Sequence, residues 1–241
     1  MASWALSIEN SMHDFSQLEH RLGLAFQDKE LLTQAFVHRS YLNENPSFSL
    51  FHNERLEFLG DAVLELVVTE HLYRQYPHTP EGELTSWRAA LVNARMLSEM
   101  SHELNFNDFL LLSRGEQKET GKARDYILAN TFEAFIGALY LDQGLQHAEK
   151  FVAAHLFPHL GVILEQKLYR DAKSRFQEIA QEKMSITPSY QVLQEWGPDH
   201  AKHFVMGVFL GEECVAQGQG SSKQEAEEKA AQNAIAAKGW E

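Results

Sequence analysis

The stretch His52-Asn53-Glu54-Arg55-Leu56-Glu57-Phe58-Leu59-Gly60-Asp61 places three carboxylates at the start of a long apolar segment. At about 100° per residue, Glu54, Glu57 and Asp61 lie within roughly 60° of one another on a helix. The remaining positions are mostly apolar, which predicts a buried helix with one acidic stripe. Like charges at these spacings repel unless a cation neutralises them, and Arg55 points elsewhere. We therefore expect a metal ion here, with a solvated acidic face as the alternative.

A second apolar segment, at 125–141, carries Asn130 and Glu133 three residues apart. This spacing places both side chains on one face of a predicted helix. Mg²⁺ takes about six oxygen ligands near ~2.1 Å and usually retains several waters, so two crossing helices with oxygen donors can build its site. The expected ligands are Glu57, Asp61, Asn130 and Glu133. A Glu133 that is only hydrogen-bonded to backbone is the alternative.

The apolar pattern changes near residue 169 and divides the chain into two domains. Apolar residues recur at helical spacing before this point, and the alternation typical of strands begins after it. We predict an all-α domain over residues 1–168 and an α+β domain of order α-β-β-β-α over 169–241, which a chain of 241 residues allows. The predicted helices of the first domain span 15–22, 28–36, 53–75, 81–102, 106–112, 125–141 and 145–166. The second domain is predicted to contain helices 174–183 and 223–238 and strands 189–196, 203–210 and 213–219.

Charge and cysteine content restrict the class of protein. A formal net charge of −13 gives no broad basic surface for nucleic-acid phosphates. Any RNA binding would therefore depend on a few placed lysines, amides and helix N-termini. The single cysteine, Cys214, cannot form an internal disulfide. We find neither a signal-peptide pattern nor an apolar run that could span a bilayer, so we expect a cytoplasmic protein without a membrane partner.

Residues 53–61, Asn-Glu-Arg-Leu-Glu-Phe-Leu-Gly-Asp, resemble the signature of ribonuclease III, a family of divalent-metal-dependent endonucleases that cleave double-stranded RNA. The resemblance implies a symmetric homodimer that uses Mg²⁺, or Mn²⁺ as a substitute, and cuts one strand at each of two centres. The products would carry 5′-phosphate and 3′-hydroxyl ends with two-nucleotide 3′ overhangs. The resemblance also implies processing of ribosomal RNA precursors and other structured transcripts.

The same resemblance implies roles for individual residues. The implied catalytic residues are Glu54, Asp61, Glu81 and Glu133. Glu81 and Glu54 would lie across a dimer cleft from the metal ligands, although Glu81 alone is also a favourable acid for the first turn of a helix. Phe58 matches the aromatic side chain that fills a pocket of the partner subunit. A plain core position is the alternative for Phe58.

Asn130 departs from the family pattern, which has an aspartate at this position. An amide oxygen can bind Mg²⁺ but is neutral, so the site loses one negative charge. We expect an active enzyme with a higher requirement for Mg²⁺. The alternative function is a double-stranded RNA-binding protein with attenuated cleavage. A phosphohydrolase of small substrates is a further alternative, and it would not need residues 171–241.

Residues 171–239 resemble a double-stranded RNA-binding domain, which reads duplex shape across two minor grooves. The implied RNA contacts are Gln177 and Gln181 on the first helix, His200 in the turn after the first strand, and Ser222 and Lys223 at the start of the last helix. Independently of the resemblance, Ser222 and Glu225 predict a capping box at a helix N-terminus that favours phosphate. Residues 170–241 contain eight Lys and Arg against eleven Asp and Glu, which predicts modest affinity for RNA.

Overall fold

The computed structural model describes residues 14–169, 171–198 and 202–240. The chain forms two compact units, with the boundary between Gln166 and Lys167. Among the described residues the first unit is helical, and the second consists of a helix, three antiparallel strands and a helix. The predicted fold class is therefore confirmed. Along the same described ranges, no helix combines the length and the apolar character needed to cross a bilayer.

The elements follow one another in chain order. The helices of the first unit are α1 (Ser16–Leu22), α2 (Lys29–Ala35), α3 (Arg39–Glu44), α4 (Glu54–Gln75), α5 (Glu81–Val92), α6 (Ala94–Glu103), α7 (Lys122–Gln143), α8 (Leu145–His155) and α9 (Pro158–Glu165). Two short 3₁₀ turns, Phe106–Phe109 and Glu116–Lys118, join α6 to α7. The second unit contains α10 (Ala172–Met184), β1 (Ser189–Trp196), β2 (His203–Leu210), β3 (Glu213–Gly220) and α11 (Lys223–Lys238).

Two helices of 22 residues each, α4 and α7, form the centre of the first unit. Helix α7 buries Phe135 completely, and the rings of Phe36 and Phe106 pack against it with centroid distances of 6.3 and 5.1 Å. Helix α4 buries Leu64 on one side but exposes Phe58 on the other. The expectation of a helix buried on nearly all sides is therefore wrong, because the other helices in the described part of the chain leave one face of α4 exposed.

Several predicted helices have different bounds in the structure. The segment 81–102 is not one helix, because Asn93 is extended (φ −73°, ψ 157°) and its side chain caps the next helix at the Met96 amide. The segment 145–166 is likewise two helices, since Pro158 begins a new one. The short helix α3 was not predicted, and the helix predicted at 106–112 is only a 3₁₀ turn.

The second unit packs its two helices on one side of the sheet β1-β2-β3. Phe176 of α10, Val208 of β2 and Ala230 of α11 are all completely buried in this core. Gly218 has no room for a Cβ atom, which would overlap the backbone at Ala226 and Ala230, so glycine allows α11 to lie directly on β3. Strands β1 and β2 and helix α11 have their predicted bounds.

Candidate functional site

The two helices that carry the predicted ligands touch through their backbones. A Cβ atom on Gly60 of α4 would overlap the carbonyl oxygen of Glu133, and one on Gly137 of α7 would overlap the carbonyl oxygen of Leu56. Only glycine permits this approach, because any other side chain would force the helices apart. The crossing therefore brings the acidic stripe of α4 next to the face of α7 that carries Asn130 and Glu133.

Asn53 fixes the start of α4. Its side chain is only 4% exposed and donates from Nδ2 to the Ala35 carbonyl oxygen over 3.1 Å. Its backbone amide donates to the Val37 carbonyl oxygen over 2.9 Å. A buried amide needs such partners, so these bonds tie the first turn of α4 to the last residue of α2 and to the segment that follows it. These bonds therefore fix the direction in which the Glu54 and Glu57 side chains leave the helix.

The carboxylates at the crossing perturb one another. Burial first, and then the charges of Asp61 and Glu57, raise the pKa of Glu133 to about 7. The pKa of Glu57 is also raised, first by burial and then by Glu54 and Asp61, while a hydrogen bond from Asn130 acts in the opposite direction. A nearby cation would relieve this repulsion between the carboxylates.

The donor set fits a hydrated Mg²⁺ better than a closed metal cage. Across residues 14–169, 171–198 and 202–240, no three His, Cys, Asp or Glu side chains come close enough together to enclose a metal ion. Mg²⁺, however, keeps several waters and accepts carboxylate and amide oxygens. Glu57, Asp61 and Glu133, together with Asn130, offer this chemistry on two adjacent helix faces.

Glu54 differs from the other acids because a protein cation, Arg39, lies beside it. Its carboxylate lies 3.4 Å from the Arg39 guanidinium and 3.7 Å from Nδ1 of His52. Sequence reasoning missed Arg39, since α3 is a short helix without a clear apolar period. It also missed Gly60 and Gly137, although an isolated glycine inside an apolar helix is itself a signal of close packing.

Two predicted residues lie apart from this cluster. Glu81 begins α5, beyond the C-terminal end of α4, and its Oε1 accepts a hydrogen bond from Thr85 over 3.0 Å. One chain therefore does not bring Glu81 to Glu57 and Asp61. Phe58 is 82% exposed, so the interpretation of Phe58 as a core residue is wrong.

The predicted RNA contacts of the second unit are on its surface wherever the structure describes them. Gln177 and Gln181 are exposed one turn apart on α10, and Lys223 is exposed at the start of α11 with its ammonium 5.7 Å from the Phe204 ring centroid. Ser222 caps α11, since its Oγ accepts from the Glu225 amide over 3.2 Å. His200 lies outside the described residues.

The hydrogen bonds that Glu225 accepts in the capping box differ from the predicted one. The Glu225 carboxylate accepts hydrogen bonds from the backbone amide and hydroxyl of Ser221, at 2.9 and 2.6 Å, where the prediction placed the Ser222 amide. The reason is that Ser221 offers two donors to one carboxylate oxygen. The amides at the start of α11 still point outward, as a phosphate contact requires.

Two protein families match this chain. Residues 28–160 match the Ribonuclease-III-like family, and residues 172–237 match the double-stranded RNA binding motif. The chain belongs to the ribonuclease III family. The two matches cover the unit with the acidic crossing and the unit with the three-stranded sheet, respectively.

Curated relatives match along almost the whole chain. The Ribonuclease 3 of Oceanobacillus iheyensis is 46% identical over 222 residues, which are 92% of this chain and 97% of the relative. The Ribonuclease 3 of Protochlamydia amoebophila is 43% identical over 228 residues, covering 95% and 93% of the two chains. A solved nuclease domain of ribonuclease III from Campylobacter jejuni is 39% identical, with a TM-score of 0.55, and covers 60% of this chain and 99% of its own.

These matches confirm the predicted family and enzyme class. This ribonuclease III is an endoribonuclease specific for double-stranded RNA, with a helical nuclease domain followed by a double-stranded RNA-binding domain. The binding-only alternative receives no support from them, since the relatives that match both domains are named as ribonucleases.

Proposed function

We propose that this ribonuclease III hydrolyses double-stranded RNA with Mg²⁺ held between α4 and α7, Mn²⁺ being able to substitute. The proposed ligands are Glu57, Asp61, Asn130 and Glu133. The observation that carries the proposal is the crossing at Gly60 and Gly137, because there the two helices that carry these residues are in backbone contact. The raised pKa of Glu133 supports it, since the charges of Asp61 and Glu57 contribute to the shift and a bound cation would offset them.

The reaction needs no nucleophilic side chain. When bound, the divalent ion supplies positive charge beside the phosphodiester and favours deprotonation of the attacking water. The chain's own part is to hold the oxygen donors in place, through the backbone contact of α4 with α7 and the buried bonds of Asn53. Glu54, held by Arg39 and His52, is positioned at the entrance to α4, where it can orient RNA or water.

We further propose a symmetric homodimer formed through the exposed face of α4. Phe58 and Tyr73 are 82% and 73% exposed on this helix, which at 22 residues is about 33 Å long. Antiparallel pairing of α4 with its copy would bring Phe58 to the far end of the partner's helix. A cavity of about 630 Å³ there, lined by Leu72, Tyr73 and Leu84 among others, is large enough for a phenyl ring.

The same pairing explains the isolated position of Glu81. This residue lies just beyond the C-terminal end of α4, whereas Glu54, Glu57 and Asp61 lie in its first turns. An antiparallel dimer would therefore place Glu81 of one protomer near the acidic cluster of the other. Each cleavage centre would then combine residues from two chains, with one RNA strand cut at each.

We also infer which RNA this protein binds and where it acts. The double-stranded RNA-binding domain would hold the duplex through Gln177, Gln181, Ser222 and Lys223, with His200 as a further contact. Substrates would be duplex regions of ribosomal RNA precursors and other structured transcripts. We infer a cytoplasmic location, since the one cysteine requires no oxidising compartment.

A duplex-cleavage assay tests the proposed function. A perfect RNA duplex incubated with the full chain and Mg²⁺ should give discrete fragments with 5′-phosphates and two-nucleotide 3′ overhangs. A single-stranded RNA and a DNA duplex of the same sequence serve as controls and should remain intact. Retardation of the RNA duplex on a gel without any fragments, at every Mg²⁺ concentration, would contradict the proposal.

A further inference from the structure

We propose that Arg124 is a positioning residue that links the first turn of α7 to α3 through residues 113–119. By holding α3 in place, this link keeps the Arg39 guanidinium beside the Glu54 carboxylate. The link connects α7 to the Glu54 end of α4 along a route that is separate from the glycine contact of the two helices. The effect on Glu54 rests on the proposed function, whereas the link itself does not.

The half-buried Arg124 side chain binds the 3₁₀ turn Glu116–Lys118. Its Nη2 donates to the carbonyl oxygens of Glu116 and Gln117 over 2.8 and 3.0 Å. Nε and Nη2 both donate to the carbonyl oxygen of Glu119, over 3.3 and 3.2 Å. The flat, forked donor group of arginine can contact several carbonyl oxygens at once, which the single ammonium of lysine does not match. These bonds tie the first turn of α7 to the turn before it.

The same segment, residues 113–119, also binds α3. The backbone amide of Ser113 donates to Oγ of Ser40 over 3.1 Å. The backbone amide of Arg114 donates to the two carboxylate oxygens of Glu44 over 3.3 and 3.1 Å. Ser40 and Glu44 are four residues apart, so they lie on one face of α3. Two neighbouring amides of the segment therefore hold one face of this helix.

The position of Arg39 depends on how α3 is held. Arg39 is the first residue of this six-residue helix, which is too short to be stable without contacts to its neighbours. Its guanidinium lies 3.4 Å from the Glu54 carboxylate, and both side chains are largely exposed. An exposed ion pair contributes little free energy of its own, so it cannot orient α3 by itself. The contacts of Ser40 and Glu44 with residues 113–119 supply that orientation.

Hydrogen exchange in the full chain tests the link without any cleavage reaction. In Arg124→Gln, the amides of residues 112–119 should exchange about tenfold faster, because the turn loses the contacts that order it. Arg124→Lys should show the same change, while peptides from α2 and α8 should exchange as in the wild type. The matched control is Arg95→Gln, since the ion pair of Arg95 with Glu99 lies within α6. Unchanged exchange of residues 112–119 in Arg124→Gln would overturn the inference.

Cleavage by a double variant tests whether the two ends of the link act together. Arg124→Gln removes the α7 end, and Glu44→Ala removes a contact at the α3 end. Each should slow cleavage of a saturating RNA duplex by roughly three- to tenfold, with the duplex affinity and the Mg²⁺ midpoint unchanged. Because both act on one link, the double variant should be about as slow as the slower single variant. Effects that multiply, or a shifted Mg²⁺ midpoint in Arg124→Gln, would contradict the positioning role.

The Glu54→Gln background shows whether Arg124 acts through Glu54. In this background Arg124→Gln should slow cleavage by less than about twofold, because the group that it positions is already lost. A full effect of Arg124→Gln in the Glu54→Gln background would overturn the positioning role. Cleavage by Glu54→Gln at the wild-type rate would contradict the proposed role of Glu54 and, with it, this effect of Arg124. The exchange measurement still decides in that case whether Arg124 forms the link.

Discussion

Gly60 and Gly137 meet where α4 crosses α7, and neither position has room for a Cβ atom. Each glycine lies one turn from a predicted ligand, Glu57 on α4 and Glu133 on α7. The distance between the ligand-bearing faces is therefore set by contact between two helix backbones. Close packing of this kind resists expansion, so the glycines determine the site without belonging to its chemistry.

Substitution of Gly60 should damage both stability and metal binding. We expect Gly60→Ala to destabilise the nuclease domain by about 1–3 kcal/mol, because the helices must separate, and to reduce the rise in melting temperature produced by Mg²⁺. Gly161→Ala is the matched control, since Gly161 lies in α9 with open space around it and should be neutral or stabilising by about 0.5–1 kcal/mol. Thermal unfolding with and without Mg²⁺ measures both effects, and equal melting temperatures for the two variants would contradict this account.

The raised pKa of Glu133 predicts a pH dependence of stability. Its ordinary value is 4.5 and its value in the fold is about 7, so between these values the folded chain binds more protons than the unfolded chain. Its contribution to stability should therefore fall as the pH rises from about 4.5 to about 7 and stay constant above that. Addition of Mg²⁺ should remove most of this loss at high pH.

Comparison with Glu133→Gln isolates this effect from the histidines. Burial lowers the pKa of His38, His71 and His155, so their contributions change with the opposite sign and occur in both proteins. Melting temperatures are measured near pH 5 and near pH 8 without divalent ions. The difference between the melting temperature of Glu133→Gln and that of the wild type should shift in favour of the variant as the pH rises. A difference between the two proteins that does not depend on pH would refute the prediction.

The exposed Phe58 predicts a dimer that one substitution can dissociate. Phe58→Asp should shift the protein toward single chains in sedimentation experiments and reduce cleavage, because each centre would lose the partner's Glu81. The helical circular dichroism should stay unchanged, since the side chain is not part of the core. Leu141→Asp, at another exposed apolar position, is the control. A variant of Phe58 that remains dimeric would show that α4 is not the interface.

Lys223 should contribute to RNA binding through charge. Lys223→Gln is expected to weaken duplex binding for all sequences alike and to reduce the slope of log K against log salt by about one. The comparison variant is Lys229→Gln on the same helix, because Lys229 is already paired with Glu225 at 3.2 Å. Binding isotherms at several salt concentrations measure both slopes. If the two variants have the same slope, Lys223 does not contact phosphate.

The sequence predicts those parts of the fold and site that depend on local periodicity. The carboxylates of α4 and the Asn130 and Glu133 pair follow from helical spacing, and the strands follow from alternation. Periodicity alone could not predict the exposure of Phe58, which only the family resemblance implied, because an apolar residue on an apolar helix has the same pattern whether its own chain or a second chain covers it. The sequence pattern also does not predict the contact of Arg39 with Glu54, since that contact depends on how the six-residue helix α3 packs in the fold.

One titration tests most directly whether the acidic crossing holds the Mg²⁺ with which this enzyme cuts double-stranded RNA. Cleavage of a perfect duplex is measured against Mg²⁺ concentration for the wild type, Glu133→Gln and the control Glu149→Gln, which changes an exposed acid of α8. We predict that Glu133→Gln binds the duplex as tightly as the wild type but cleaves it slower by roughly two orders of magnitude. Equal cleavage by Glu133→Gln at every Mg²⁺ concentration, or full cleavage without divalent ions, would contradict the account.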